Sequence, residues 1–94
     1  MDVLWLQYQN GPKAQYYLVL VIGETDDRYI CLMCKDVLDP EIEKIRKSLP
    51  ELRAADMDDR IKWLRTHVSA YKRAHRQFLK SKTRIDTKYE LQVK

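Results

Sequence analysis

The seven residues 16–22, Tyr-Tyr-Leu-Val-Leu-Val-Ile, are apolar at every position. No other segment limits the fold as much. A strand points successive side chains to opposite faces, so an unbroken apolar run is the pattern of a central strand covered on both sides. Seven residues fall far short of the roughly 20 that span a bilayer as a helix. No basic stretch precedes the run as a secretory leader requires, so no membrane span is expected and the cytoplasm is the expected compartment. Residues 3–8 are rich in β-branched, aromatic and aliphatic side chains, and Asn10-Gly11-Pro12 follows as a reversal. Turn chemistry at Gly23-Glu24-Thr25-Asp26-Asp27 ends the apolar run, and residues 28–34 complete a three-stranded meander. Links this short force antiparallel pairing.

Asp39-Pro40 reads as a helix start, with Asp39 as the cap and Pro40 at the first helical position, where its missing N–H costs nothing. Ile42, Ile45 and Leu49 give this helix one apolar stripe. Ser48 and Glu51 around Pro50 resemble a capping box, which predicts that the helix is short and a new turn begins there. Asp56 and Asp59 repeat the cap signal. Met57, Ile61, Leu64, Val68, Tyr71, His75 and Phe78 then recur at spacings of four and three, which predicts one long helix over 57–80. Beyond Lys82 the period becomes two: Ile85, Thr87, Tyr89, Leu91 and Val93 alternate with polar residues as in a half-buried strand. The expected fold is a single α+β domain, 1–94, with two layers. Its helices, one short and one long, lie on a largely antiparallel four-stranded sheet in the order β-β-β-α-α-β. One helical layer leaves the second face of the central strand bare, and a homodimer face is the expected cover.

Charge is divided along the chain. Residues 1–59 carry seven Lys/Arg against twelve Asp/Glu, net −5, whereas residues 60–94 carry eleven against two, net +9. No acid occurs anywhere in 60–85. On the expected long helix, Lys62, Arg65, Lys72, Arg73, Arg76 and Lys80 fall on the arc opposite the apolar stripe and form a ridge of cations. Solvated helix faces usually mix signs, because like charges one turn apart cost a few tenths of a kcal/mol per pair. An unmixed ridge points to a polyanionic or acidic partner.

Other motifs read more simply as structure. Cys31-Leu32-Met33-Cys34 has the spacing of a zinc knuckle yet supplies two ligands of the four a structural site needs, and odd spacing on a strand sends the thiols to opposite faces. Buried small hydrophobes are the expected role, and no metal or cofactor is expected. His67 and His75 are eight apart, too far for a helical ligand pair, and read as core or boundary histidines. Glu24, Asp26 and Asp27 lack the spacing and central Gly of a calcium loop. Two glycines in all, Gly11 and Gly23, exclude a phosphate-cradling Gly-rich loop. With 45% hydrophobic and 34% charged residues the composition is that of a folded domain rather than a disordered tail.

These features predict a non-enzymatic nucleic-acid-binding domain whose ridge residues meet phosphates. The alternative is a small inhibitor or adaptor that presents the same helix to an acidic protein groove. A metal-independent ribonuclease is the third reading, without an acid–base pair assignable from spacing.

Overall fold

The computed structural model describes residues 3–89. Five strands and three helices follow in the order β1 (Val3–Gln9), β2 (Ala14–Glu24), β3 (Arg28–Met33), α1 (Asp39–Ala54), α2 (Met57–His67), α3 (Tyr71–Ala74), β4 (His75–Leu79) and β5 (Thr83–Tyr89). The strands form one sheet in the order β4-β3-β2-β1-β5, antiparallel at every junction. Gly11 sits at φ 101° in the β1–β2 turn, a conformation other residues rarely adopt. Among the described residues no helix is long and apolar enough to cross a membrane.

The α+β class agrees with the sequence reading, but the sheet has five strands rather than four. The expected long helix over 57–80 is replaced by α2, a corner at Val68–Ala70, the single turn of α3 and the edge strand β4. The reason is tertiary. Buried Glu41 of α1 accepts the Ser69 backbone N–H and the Ser69 hydroxyl (3.0 Å), which diverts the chain where a helix would continue. Leu64, Val68, Tyr71 and Ala74 all remain buried through the corner, so the helical spacing persists without one helix.

The first helix is also longer than expected. It runs 16 residues through Pro50, and Leu38 rather than Asp39 is its N-cap residue. Pro50 has no N–H to donate to the carbonyl four residues earlier. Buried Leu52 and the packed Leu49 hold the helix on the core beyond that point. At the start of α2, Asp56 acts as the sequence predicts: its Oδ1 accepts the Asp59 N–H at 2.8 Å.

Two apolar clusters lie on opposite faces of the sheet. The larger joins Leu20, Ile22, Ile30 and Leu32 to Ile42, Ile45, Leu52, Leu64 and Tyr71 of the helices. The smaller contains Leu6, Val19, Cys31, Met33 and Phe78, with Tyr8, Tyr17, Val21 and Tyr29 around them, and no helix contributes to it. Its centre is nevertheless fully buried, with Leu6, Val19 and Cys31 at 0% exposure. The sheet curls to achieve this. Tyr8 on β1 and Phe78 on β4 are three strands apart in the sheet order, and their rings reach over it until the centroids are 5.3 Å apart.

Two register irregularities accompany the curl: Ile22 is extra in β2 opposite β3, and Asp86 is extra in β5 opposite β1. Such bulges bend a strand and increase its twist. The concave face therefore finds its cover within one chain, and the argument for a dimer face falls away. The second bulge shifts the register within this strand, since Ile85 pairs with Leu6 and Thr87 with Trp5. Leu91 and Val93 lie outside the described residues.

Arg60 locks the bulge of β2 to the helices. Its guanidinium donates to the carbonyls of Ile22 (3.0 Å), Leu52 (2.6 Å) and Arg53 (3.0 Å), joining β2 to the last turn of α1. Gly23, beside the bulge, lets Met57 approach: a Cβ there would lie 2.6 Å from the Met57 sulfur.

Candidate functional site

The six cations expected on one ridge are distributed over four elements. Lys62 and Arg65 lie on α2, Lys72 and Arg73 on α3, Arg76 on β4, and Lys80 just beyond β4. The first five are exposed, and among the described residues none of them has an ion-pair partner. Lys80 differs. It pairs with Glu24 at 3.6 Å and lies over the Tyr29 ring at 5.4 Å, so it closes the far end of the concave face.

Contacts connect the elements that carry the five. The Arg65 guanidinium lies 5.8 Å from the Tyr71 ring centroid, and Tyr71 stacks on His75 at 4.9 Å, which draws the end of α2 to the start of β4. Tyr71 and Ala74 belong to the helix-side cluster and Phe78 to the concave one, so the chain passes from one face to the other over β4, an edge strand. Arg76 pairs with Cys31, whose side chain faces the concave cluster. Cations are thus carried both by the helical layer, with Arg65 against Tyr71, and by the concave face, with Arg76.

There Arg76 meets a cleft of about 450 Å³ at the hairpin end of the concave face. Tyr8, Tyr17 and Phe78 supply its rings: Tyr8 meets Phe78 edge-on at 62°, and Tyr17 lies tilted over Phe78 with centroids 5.6 Å apart. Arg76 stands at the rim, and Asn10, Gln15 and Gln77 add amides. The Tyr17 hydroxyl donates to the Gln15 side-chain oxygen, which fixes the ring and leaves the Gln15 amide N–H groups to donate. The strand register explains the assembly, because Tyr8 opposes Gln15 and Leu6 opposes Tyr17 across the hairpin. A second cleft, of about 470 Å³, lies between Gln7 and Gln9 of β1 and Lys82, Thr83 and Arg84.

Near the corner between α2 and β4, Tyr71 is buried and His75 and His67 are half-buried. The Tyr71 hydroxyl and His75 Nε2 are buried without hydrogen-bond partners among the described residues. Burial, and then the Arg65 charge, hold His75 below its ordinary value, and burial pushes the Tyr71 phenol up while Arg65 draws it partly back. His67 stacks on Trp63 at 4.2 Å, and its Nδ1 is 2.9 Å from the Trp63 carbonyl. Cys31 is pushed up to about 12 by burial and by Cys34. The two thiols pack against different clusters, although Cys34 lies just beyond the end of β3 and strand alternation does not set its direction.

Of the residues expected to bind a ligand, the cleft takes only Arg76. The aromatic members carry no sign of a site in the sequence, where Tyr8 and Tyr17 read as strand residues and Phe78 as part of a helical stripe. The sequence matches no protein-family model, no curated protein and no solved structure.

Proposed function

We propose that the protein is a non-enzymatic nucleic-acid-binding domain of the cytoplasm, and that Lys62, Arg65, Lys72, Arg73 and Arg76 meet the phosphate backbone. One observation carries this reading. Five exposed cations occur on α2, on α3 and at the start of β4, and none has an ion-pair partner among the described residues. Clustered cations repel one another and destabilise a fold unless a partner compensates them, and phosphates do so while releasing condensed counterions. Lys80, already paired with Glu24, is a minor contributor. The reading requires no second copy of the chain and no metal.

Fluorescence anisotropy with labelled oligonucleotides tests it. Lys62→Glu, Lys72→Glu and Arg73→Glu together should abolish binding at low salt without loss of the fold, since all three side chains are exposed. The control replaces the exposed Lys44 and Glu51 of α1 with Gln and should bind as wild type does. Equal affinity in the triple variant would overturn the proposal. Absence of binding by the wild-type chain, together with an acidic protein partner lost in the triple variant, would establish the adaptor reading in its place.

A further inference from the structure

We infer that the concave cleft takes an unpaired nucleobase, so that the ligand of this domain is single-stranded nucleic acid. The inference rests on the proposed function and adds to it the form of the ligand.

The cleft offers the two kinds of contact that a nucleotide needs. Its walls are aromatic: Phe78 forms the floor, buried at 6% exposure, while Tyr8 and Tyr17 are half-buried and keep ring surface toward the opening. Every base has a π-face, so rings of this kind hold bases of any sequence. Its rim is cationic and amidic. Arg76 is exposed and unpaired among the described residues, and Asn10 and Gln15 can donate to base edges. Among the described residues no acid lines the cleft. The recess, of about 450 Å³, leaves room for a planar ring system.

Charge and shape agree on the path of the strand. Lys72 and Arg73 of α3 immediately precede β4, and Arg76 of β4 lines the cleft with the rings, so a backbone held by these cations arrives with a base at the opening. In a duplex the base faces are already stacked on one another and cannot enter a recess between β1 and β4 without being flipped out. Cations alone would bind duplex and single strand with little distinction. The rings make the difference.

The experiment compares a labelled single-stranded oligothymidine with a labelled hairpin duplex, using wild type, Tyr8→Leu, Tyr17→Leu, Tyr8→Phe and Tyr17→Phe. Wild type should prefer the single strand. Each leucine variant should lose about fivefold or more on the single strand, the scale of one lost stacking contact, with duplex affinity unchanged, and the phenylalanine variants should retain binding. Leucine variants that bind the single strand as wild type does would overturn the inference, and loss of both strands in Lys72→Glu/Arg73→Glu would then leave the broader proposal standing. If wild type binds neither strand, both fail.

A second measurement needs no variant to fold. In the NMR spectrum of wild type, the ring protons of Tyr8 and Tyr17 should move upfield as the oligothymidine is added. Binding that leaves those protons unmoved would also overturn the inference.

Discussion

Replacing Arg60 with Met keeps most of the aliphatic stem and removes the guanidinium that ties three carbonyls together. Two of the three hydrogen bonds, to Leu52 and Ile22, are part-buried, and the third, to Arg53, is exposed. Hydrogen bonds to charged groups contribute about 1.5–3 kcal/mol each. Counting only the two part-buried bonds, at the lower end, gives a loss of about 3 kcal/mol. A domain of this size holds roughly 5–14 kcal/mol in total, so the variant should remain folded but visibly weaker. At about 4–8 °C per kcal/mol, Tm should fall by about 12–24 °C.

Urea denaturation followed by circular dichroism reads the same loss as a lower midpoint at unchanged slope. Arg60→Lys should recover only part of it, because one ammonium cannot reach three carbonyls on two elements. Oligonucleotide binding at a temperature where the variant is folded should be unaffected, since Arg60 is engaged in the fold. A loss below about 1 kcal/mol would show that water replaces the guanidinium and that the clamp is not structural.

Three further outcomes are expected. Pro50→Ala restores an N–H inside α1, where an interior proline costs about 3 kcal/mol; allowing about 1 kcal/mol for the looser unfolded chain, it should raise stability by about 2 kcal/mol in urea melts, and an unchanged midpoint would mean that α1 absorbs the proline without strain. His75 is held below its ordinary value of 6.5. As pH falls below 6.5 the unfolded chain takes up the proton and the native one resists, so His75 contributes fully above that pH and its contribution is lost toward the lower folded-state value. Tm of His75→Phe should decline less than that of wild type between that pH and the carboxylate range, and parallel declines would refute the assignment. Cys31, buried and raised to about 12, should react with a thiol reagent at pH 8 only as the protein unfolds in urea; rapid labelling of Cys31 in the native state would contradict its burial.

Local chemistry recorded much of this fold in the sequence. The three opening strands and their turns are visible because Gly11 and the acidic loop after Gly23 punctuate apolar runs, and the cap of α2 is visible because Asp56 needs only its neighbour Asp59. The features that cannot be read are those made by distant residues. Nothing near Ser69 marks a corner, since the group that binds it is Glu41, 28 residues earlier. The four- and three-residue spacing continues from Leu64 to Phe78 through three elements, because the residues that face the core happen to keep that interval across the corner. The cleft was hidden for the same reason: Tyr8 and Phe78 are 70 positions apart and meet only in the assembled sheet. The cations were evident as a set, but their distribution over separate elements depends on β4 being a strand at all.

The most direct test of the central claim is the salt dependence of binding to single-stranded oligonucleotide, measured by anisotropy over a range of ionic strength in wild type and in Lys72→Glu/Arg73→Glu. Each phosphate neutralised on a single strand contributes about 0.7 to the log–log slope. If all five exposed cations engage, the wild-type slope approaches about −3.5, and the double variant is flatter by about 1.4. A wild-type slope near zero, or the same slope in both proteins, would contradict the claim that these side chains meet the phosphate backbone.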